Sequence, residues 1–389
     1  MSKWMITYDK LDADQKDFVK SQGVKNEWIV GFPGSGKSVL LVHKIKQILD
    51  CDPSASIDLV VFTRSLKELF RAGFRELGIT GVGIQTMYEF YNDTERYDYI
   101  FCDEVQDITP EILEAVRRRS TKQVFVAGDP NQSIYKIDPK FKRPTVAPDE
   151  PGKILDARRI SLRTIYRLTQ SIMTAVQKFY TKMNLWQAKR DMTKQDVNIR
   201  LCKSGSISGQ VEYINNRIAK ILSEKESCVI LLATRNDVKK FVDALLELNG
   251  SSAWIVCDNI YGSPNYDILN DYLRVCGLKY VYVGGGYGSL DEVMDGNYAA
   301  IMTYASSKGL DFENVFMPFV SRDLYINADP EISKTLFMVA MTRCRKNLYL
   351  TYSGFPFCYV DQFAEDCSNI DCDRNVKSDT PSSTNIFGF

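Results

Sequence analysis

The sequence contains a single histidine, His43, and no cysteine pair with the C-x-x-C spacing of common zinc and redox sites. One imidazole cannot build a histidine-rich metal centre, and His43 falls in an apolar helical pattern, so a serine-histidine triad is excluded as well. The plain interpretation is a residue on a helix face. Several cysteines stand in or beside apolar runs, which predicts reduced, buried side chains at Cys51, Cys102, Cys228, Cys257 and Cys344.

The chain also has no net charge, because 49 basic residues balance 49 acidic residues. Any affinity for a nucleic acid would therefore need a local basic surface. The sequence shows no secretory leader pattern and no apolar run as long as a membrane span, which predicts a soluble cytoplasmic protein without membrane contact. With 389 residues of ordinary globular composition, the chain is long enough for two domains.

The strongest motif is Gly31-Phe32-Pro33-Gly34-Ser35-Gly36-Lys37-Ser38, which matches the phosphate-binding pattern G-x-x-x-x-G-K-[ST]. An apolar run that predicts a strand precedes it, and helical spacing follows it. The glycines allow backbone N–H groups to face phosphates, Lys37 supplies a point charge, and the Ser38 hydroxyl can ligate Mg²⁺. A glycine-rich turn with a chance Lys-Ser pair is the alternative, and both flanks argue against it.

Two adjacent carboxylates, Asp103 and Glu104, end the strand predicted from Tyr97. In a phosphate-loop protein the first carboxylate completes the Mg²⁺ shell, and the second can orient and deprotonate the attacking water. A solvated acidic loop is the alternative. The next predicted strand, residues 123–127, leads to Gln132, a candidate sensor of the γ-phosphate.

Two further segments could touch a ligand. Gln15, in a helix capped by Asp12, could read an adenine edge or could be an ordinary surface glutamine. Phe62-Thr63-Arg64 follows the predicted strand 57–63, and ligands of open α/β sheets bind at the carboxyl ends of strands. The segment 136–167 carries nine Lys or Arg against four Asp or Glu, which could face a phosphodiester backbone or form a solvated linker.

The second half again predicts an α/β domain. Its strand signals lie at residues 209–214, 228–233, 279–283, 299–303, 314–318 and 347–351. The glycine-rich segment 284–288 does not fit a dinucleotide-binding context and predicts a loop. From Asp361 the chain turns acidic and then polar, which predicts a mobile tail over 361–389 that could present Ile386–Phe389 to a partner.

The order of these segments resembles the motif order of UvrD-like superfamily 1 DNA helicases. Eight segments carry the resemblance: residues 11–15, 31–38, 62–64, 103–107, 128–135, 166–167, 303–312 and 339–345. The resemblance implies an α/β fold of two RecA-like phosphate-loop NTPase domains, residues 1–150 and 151–360, with ATP and Mg²⁺ between them.

The resemblance also implies roles for single residues. The catalytic set would be Lys37, Asp103, Glu104, Gln132, Arg167 and Arg343, the two arginines reaching the γ-phosphate from the second domain. The metal ligands would be Ser38 and Asp103. ATP would be bound by the loop residues Gly31, Phe32, Pro33, Gly34, Ser35, Gly36, Lys37, Ser38 and Val39, and by Gln15, Tyr166, Gly309 and Asp311. Single-stranded nucleic acid would contact Phe62, Thr63, Arg64, Thr86, Tyr135, Thr303 and Ser306.

The chain departs from the family pattern at several positions. Val39 stands where the family often has arginine, Ile137 replaces a base-stacking tryptophan, Ile165 replaces asparagine, and Ala305 replaces histidine. These changes affect the expected binding of single-stranded nucleic acid more than the expected ATP hydrolysis. The segments 64–103 and 235–303 are too short for the accessory subdomains of the family, which predicts a nearly bare motor.

Three functions remain open at this stage. The leading one is an ATP-driven motor on single-stranded DNA with 3'-5' polarity, although RNA is also compatible with the motifs. The second is a nucleic-acid-sensing ATPase switch that regulates a partner such as a nuclease in a defence system. The third, a kinase that uses the same phosphate loop, is disfavoured by the paired arginines and the Gln132 motif.

Overall fold

A computed structural model describes residues 4–185, 188–190, 196–259 and 262–374, with the side chain of Arg190 excepted. These residues form a mixed α/β structure built on two sheets of parallel strands. Strands of parallel sheets are covered on both faces, and accordingly all five residues of the second strand of the first sheet are buried. No helix among the described residues is long and apolar enough to cross a membrane.

The first sheet has six strands in the order β3-β2-β4-β5-β1-β6. They are β1 Glu27–Gly31, β2 Ile57–Val61, β3 Gly83–Thr86, β4 Tyr97–Cys102, β5 Ser120–Gly128 and β6 Arg158–Leu162. The helices of this region are α1 Ala13–Lys20, α2 Lys37–Cys51, α3 Arg64–Leu77, α4 Met87–Asn92, α5 Pro110–Arg119 and α6 Glu150–Leu155. We call residues 4–162 the N-terminal part.

The second sheet has seven strands in the order β11-β12-β10-β13-β14-β9-β15. They are β9 Asn198–Lys203, β10 Cys228–Leu232, β11 Tyr280–Tyr282, β12 Ala299–Thr303, β13 Phe312–Met317, β14 Cys344–Tyr352 and β15 Ser368–Asp371. The helices are α7 Gln170–Phe179, α8 Ile207–Ser223, α9 Arg235–Leu248, α10 Tyr266–Val275, α11 Leu290–Met294, α12 Pro330–Met341 and α13 Cys358–Asp361. A separate pair of short strands is formed by β7 Thr164–Ile165 and β8 Lys189–Arg190. We call the described residues from 164 onward the C-terminal part.

The predicted division at residue 150 falls inside the first sheet. Strand β6 pairs in parallel with β1 from Arg158 to Leu162 and supplies the outer neighbour of the phosphate-loop strand. Its alternating pattern of exposure, with only Leu162 buried, hides it from a search for apolar runs.

Two other predictions are wrong. Residues 209–214 lie in helix α8, because Ser206 caps the helix by accepting a hydrogen bond from the Gly209 N–H at 3.0 Å and its apolar residues follow helical spacing. The tail predicted from residue 361 instead contains a 3-10 helix, Ala364–Asp366, and then β15, which pairs with β9 at the sheet edge. The proposed anchor Ile386–Phe389 lies outside the described residues.

The cysteine prediction is partly confirmed. Cys102, Cys228 and Cys344 are buried free thiols, whereas Cys51 and Cys257 are exposed.

Candidate functional site

The phosphate loop joins the carboxyl end of β1 to the first turn of α2. Gly34 and Gly36 have positive φ angles of 75° and 88°. A side chain at Gly34 would also meet Arg167 Cβ at 2.4 Å, so the approach of the C-terminal part requires glycine there. Turns of this kind let successive N–H groups face an anion at a helix N-terminus.

Lys37 folds back onto its own loop. Its Nζ donates hydrogen bonds to the carbonyl oxygens of Gly31 at 2.8 Å and Phe32 at 3.2 Å. Burial lowers the pKa of Lys37, and nearby carboxylates, of which Asp129 contributes most, act in the opposite direction. The cation therefore lies at the base of the loop, within reach of an anion held there.

Ser38 and Asp103 form a direct pair. Ser38 Oγ donates a hydrogen bond of 2.6 Å to Asp103 Oδ2, while Asp103 Oδ1 accepts from the Glu104 N–H at 3.0 Å. Burial, followed by the charge of Glu104, raises the pKa of Asp103 to about 6. A hydroxyl and a carboxylate side by side are the hard oxygen ligands that Mg²⁺ prefers.

Glu104 stands in a left-handed conformation with φ of 54°, which is unusual for a residue with a side chain. Its Oε2 accepts a 2.5 Å hydrogen bond from Gln106 Nε2 and lies 3.6 Å from Lys308 Nζ. Burial would raise the pKa of Glu104, but the Lys308 and Lys37 charges outweigh burial and hold this pKa below its ordinary value. The surroundings thus fix an ionised carboxylate in a strained position.

Gln132 belongs to the same network as Glu104. Gln132 Nε2 donates to Asp129 Oδ2 at 2.9 Å, and the Asp129 N–H donates to Gln106 Oε1 at 3.0 Å. Because Gln106 also holds Glu104, the two predicted catalytic residues are joined through two buried intermediates.

The predicted arginine pair comes from the C-terminal part. Arg343 is 1% exposed and donates to the carbonyl oxygens of Val339 at 2.8 Å and Leu310 at 3.0 Å, and to Thr342 Oγ1 at 3.1 Å. Burial, with the nearby Arg167 charge, lowers the pKa of Arg343 to about 9. Burial likewise lowers the pKa of Arg167, whose Nε is buried without a hydrogen-bond partner.

Both arginines face the phosphate loop across one open cleft of about 280 Å³. The predicted residues that line it are Gln15, Pro33, Gly34, Gly36, Lys37, Ser38, Val39, Glu104, Gln132, Tyr166, Arg167, Gly309, Asp311 and Arg343. The remaining predicted residues, Gly31, Phe32, Ser35 and Asp103, do not line it. The cleft therefore combines the phosphate loop and Glu104 of the N-terminal part with two arginines of the C-terminal part.

Gln15 and Tyr166 line this cleft and hydrogen-bond to the phosphate loop. Gln15 is buried, closes a capping box with Asp12, and donates from Nε2 to the Ser35 carbonyl oxygen at 3.2 Å. The Tyr166 hydroxyl donates to Asp12 Oδ2, and the Tyr166 N–H donates to the Gly34 carbonyl oxygen at 2.9 Å. The surface interpretation of Gln15 is wrong, because the capping box turns its side chain toward the loop.

Sequence reasoning missed four residues of the cleft: Trp4, Ile6, Leu69 and Arg345. Arg345 follows Arg343 by two positions, and its Nε lies 3.6 Å from Asp311 Oδ2. The predicted ribose ligand Asp311 is thus paired with a cation. Arg345 could have been found from the sequence, because it lies inside the motif segment 339–345. Trp4 and Ile6 lie before the first motif, so no motif indicates them.

A second cleft, of about 380 Å³, also opens between the two parts. The predicted strand-binding residues Phe62, Thr63, Arg64, Thr86 and Ser306 line it. Two other predicted residues lie beside it without lining it: Tyr135 packs on Phe62 with ring centroids 5.5 Å apart, and Thr303 Oγ1 is 2.8 Å from Ser306 Oγ. The cleft also includes Lys140 of the basic segment 136–167, together with Tyr88, Asn92, Gly284, Gly285 and Gly286, which sequence reasoning had not assigned to a site.

The basic segment 136–167 is less available than its composition suggested. Lys136 pairs with Asp329, Arg143 with Glu111 at 3.0 Å, and Arg158 with Glu27. Lys140 is different, because it lines the second cleft and lies 4.5 Å from the Tyr88 ring centroid. The segment therefore contributes Lys140 to that cleft.

The family model described as the viral superfamily 1 RNA helicase core domain matches residues 28–235. F-box DNA helicase protein 1 of Schizosaccharomyces pombe is 41% identical over 49 residues, which are 13% of this chain and 6% of that protein. An uncharacterized protein of Acanthamoeba polyphaga mimivirus is 23% identical over 170 residues, 43% of this chain and 33% of that protein.

The chain therefore spans no more than a third of these curated relatives. Among solved structures, the C-terminal domain of a possible DNA helicase from Lactobacillus plantarum WCFS1 aligns with a TM-score of 0.35 and 12% identity. That alignment covers 52% of this chain and 98% of the other.

Proposed function

We propose that the chain, which belongs to the viral superfamily 1 RNA helicase core domain family, is an ATP-driven motor on single-stranded DNA of the UvrD-like type, with 3'-5' polarity. The DNA substrate, the UvrD-like type and the polarity rest on the order of the sequence motifs. The observation that carries the proposal is the 280 Å³ cleft, in which Lys37, Ser38 and Glu104 face Arg167 and Arg343. Such a cleft can be completed only when the two parts meet, so hydrolysis and relative movement of the parts are linked.

The residues present fit ATP with Mg²⁺. The buried Arg167 Nε has no hydrogen-bond partner and lies at a cleft that also contains Lys37, as expected for a site that receives phosphate oxygens. Arg343 uses three of its five N–H donors on its own part of the chain and keeps the others for a ligand. Ser38 and Asp103 would hold the cation, which when bound neutralises charge on the phosphates.

Different groups of the chain act at different steps of ATP hydrolysis. The loop N–H groups and Lys37 bind the phosphates, and Gln15 and Tyr166, which line the same cleft, contact the nucleotide beside the loop. Glu104, held ionised by Lys308 and Lys37, accepts a proton from the attacking water. Arg167 and Arg343 stabilise charge on the transferred phosphoryl oxygens. Gln132 senses the γ-phosphate and is hydrogen-bonded to Asp129, through which it is linked to Glu104.

The decisive experiment is the ATPase rate with single-stranded DNA, duplex DNA and RNA of matched length and sequence. We expect the largest stimulation from single-stranded DNA. Stimulation by RNA alone would assign the chain to RNA and reject the DNA part of the proposal. No stimulation by any polymer would reject the motor itself and leave a nucleic-acid-independent NTPase such as a kinase.

One observation favours a second candidate, an ATPase switch that acts on a partner such as a nuclease. The segment 64–103 holds only α3, β3, α4 and β4, and no accessory subdomain among the described residues is available to split a duplex. Separation must overcome about 1.4 kcal/mol of stacking per base-pair step. A motor predicts directional movement on labelled single strands, whereas a switch predicts strand-stimulated hydrolysis without movement.

The same observation predicts poor unwinding by the purified chain alone. A tailed duplex with a trap strand, under single-turnover conditions, measures this directly. Efficient unwinding of a long duplex would show that the core suffices without a partner.

A further inference from the structure

Helix α10 carries apolar side chains on two faces. Leu269 and Leu273, on one face, are buried in the core of the C-terminal part. Ile268 and Val275, on another face, are seven positions apart and therefore lie one above the other, with 43% and 84% of their surface exposed. A surface helix of a globular protein normally has one apolar stripe, which faces the core. The stripe of Ile268 and Val275 is thus an apolar face in contact with solvent.

The loop between α9 and α10 runs alongside this exposed stripe. The Tyr272 hydroxyl, on the same face as Ile268 and Val275, donates to the Ser252 carbonyl oxygen at 2.9 Å. Nearer the start of α10, the Trp254 ring packs on a buried ring of the helix, with centroids 5.7 Å apart. The loop residues that follow Trp254 therefore lie next to the first turn of α10.

This loop and the end of α9 add three more exposed apolar side chains. Ile255 and Val256 follow Trp254, and Leu248 ends α9, where the Asn249 side chain donates to the Cys276 carbonyl oxygen at 3.2 Å. Five of the twelve exposed large hydrophobic residues in the described part of the chain thus fall between positions 248 and 275. We call these five residues the α10 surface: Leu248, Ile255, Val256, Ile268 and Val275. Such a concentration of exposed apolar groups is typical of an interaction site.

Asn270 closes the neighbouring edge of the second sheet. Strand β11 is the outer strand, and the buried Asn270 side chain accepts a hydrogen bond from the Tyr282 N–H at 2.7 Å and donates to the Tyr282 carbonyl oxygen at 3.1 Å. An added strand would need these backbone groups, and they are already used. A partner must therefore pack on the side chains of α10 and its loop instead of extending the sheet.

The surroundings of the α10 surface are acidic. Residues 241–273 contain no lysine, arginine or histidine and five acidic residues, Asp243, Glu247, Asp258, Asp267 and Asp271. Three of these, Glu247, Asp258 and Asp267, are exposed and form no ion pair with any residue that the structure describes. Negative charge repels the phosphates of a nucleic acid and attracts a basic protein segment.

We propose that the α10 surface is a docking site for a basic amphipathic helix of a partner protein. The apolar stripe of that helix packs on Ile268 and Val275, and its Lys or Arg residues face Glu247, Asp258 and Asp267. Recognition thus combines an apolar stripe at helical spacing with positive charge. None of the five surface residues lines the nucleotide cleft or the second cleft, so this docking can be tested separately from the proposed function.

The test titrates the full chain into three fluorescently labelled synthetic peptides of about 18 residues, long enough to form a helix. The first contains Leu at helical spacing with Lys elsewhere, the second has the same composition in scrambled order, and the third replaces each Lys of the first by Glu. Fluorescence anisotropy measures the affinities. We expect the first peptide to bind at least about tenfold more tightly than either of the others.

Two substitutions of the chain locate the binding. Ile268→Ser combined with Val275→Ser should weaken binding of the first peptide by about tenfold or more, because both apolar anchors are lost. Val24→Ser is the matched control, since Val24 is 92% exposed in the N-terminal part. Asp267→Lys should weaken binding of the Lys peptide and strengthen binding of the Glu peptide, whereas Asp323→Lys, at another exposed position, should do neither. Wild-type melting temperatures establish that the variants are folded.

Several outcomes would overturn the proposal. Equal affinity for the three peptides, or an affinity for the first that neither the double serine variant nor Asp267→Lys changes, shows that the α10 surface does not recognise such a helix. Dimerisation of the chain in sedimentation experiments that the double serine variant abolishes assigns the surface to a second copy instead. Loss of oligonucleotide affinity in that variant assigns it to nucleic acid.

Discussion

Ser38 Oγ donates a 2.6 Å hydrogen bond to Asp103 Oδ2, and this contact joins the first turn of α2 to the carboxyl end of β4. The two residues are 65 positions apart in sequence, and the parallel order of β1, β5 and β4 brings their strand ends to one edge. Ser38 and Asp103 would together hold a divalent cation at this edge, which would supply positive charge to bound phosphates.

This relationship predicts the metal dependence of the enzyme. Ser38→Ala should raise the Mg²⁺ concentration for half-maximal ATPase activity by at least about tenfold, because one oxygen ligand is lost. Titration of Mg²⁺ at fixed ATP measures the shift, and Ser54→Ala, on an exposed loop, is the control. A lower kcat with unchanged Mg²⁺ dependence would contradict the assignment of Ser38 as a metal ligand.

Substitutions at Lys37 and Glu104 should affect different steps. Glu104→Gln should keep ATP binding and reduce turnover by about 10²- to 10⁴-fold, since the amide cannot accept the proton of water. Lys37→Ala should lose both binding and turnover. Nucleotide affinity by fluorescence titration, measured beside strand-stimulated turnover, separates the two outcomes; wild-type hydrolysis by Glu104→Gln would show that another group is the base.

The arginine pair should act on rate more than on affinity. Arg167→Ala and Arg343→Ala should each reduce turnover by on the order of 10³-fold with little loss of nucleotide affinity. Arg274→Ala, which removes a surface pair with Glu292, is the control. Because Arg343 also donates hydrogen bonds to the carbonyl oxygens of Val339 and Leu310, the melting temperature of the Arg343→Ala variant must be measured as well. A fall in melting temperature with normal turnover per folded molecule would make the arginines structural.

Asp58, on strand β2, should make stability depend on pH. Burial, with a smaller contribution from Asp93, raises the pKa of Asp58 from its ordinary 3.8 to about 7. Between these values the folded chain binds more protons than the unfolded chain, so the free energy of unfolding falls as pH rises through this window.

The neutral, isosteric Asp58→Asn removes this dependence. Its advantage over the wild type should be about 2 to 3 kcal/mol larger at pH 8 than at pH 5. Urea unfolding at both pH values measures the difference, and Asp50→Asn, at an exposed position of α2, is the control. A constant difference across this range would show that Asp58 is ionised in the folded protein.

Much of the site could be predicted from sequence because its residues stand at strand ends or in contiguous motifs. Residue type, spacing and a preceding apolar strand are enough to indicate the roles of Gly31–Ser38, Asp103 and Glu104. Lys308 could not be assigned this way, because its partner Asp107 is defined only by how the two parts of the chain meet. The partner of Arg345 could not be assigned either, because only the pairing of β13 with β14 brings Arg345 to Asp311. Trp4 reaches the nucleotide cleft from a segment without regular structure, which no periodicity can indicate.

The strands likewise fall into those that the sequence predicts and those that it does not. Apolar runs predicted the central strands β2 and β10, which are buried throughout. The edge strands β6 and β15 are mostly exposed, so their composition resembles that of a linker and a tail. Their placement depends on the hydrogen-bonding edges of β1 and β9, which only the assembled sheets provide.

The position of β6 has a consequence for how the chain is made. During synthesis β1 leaves the ribosome about 130 residues before its partner β6, and until then one side of the phosphate-loop strand has unpaired N–H and C=O groups. A nascent or recombinant fragment that stops at residue 150 would keep this exposed edge and would be prone to pair with other chains. Fragments that extend past Leu162 include β6, which pairs with this side of β1. The shortest N-terminal fragment without the exposed edge must therefore include a strand that begins beyond the last motif of the N-terminal part.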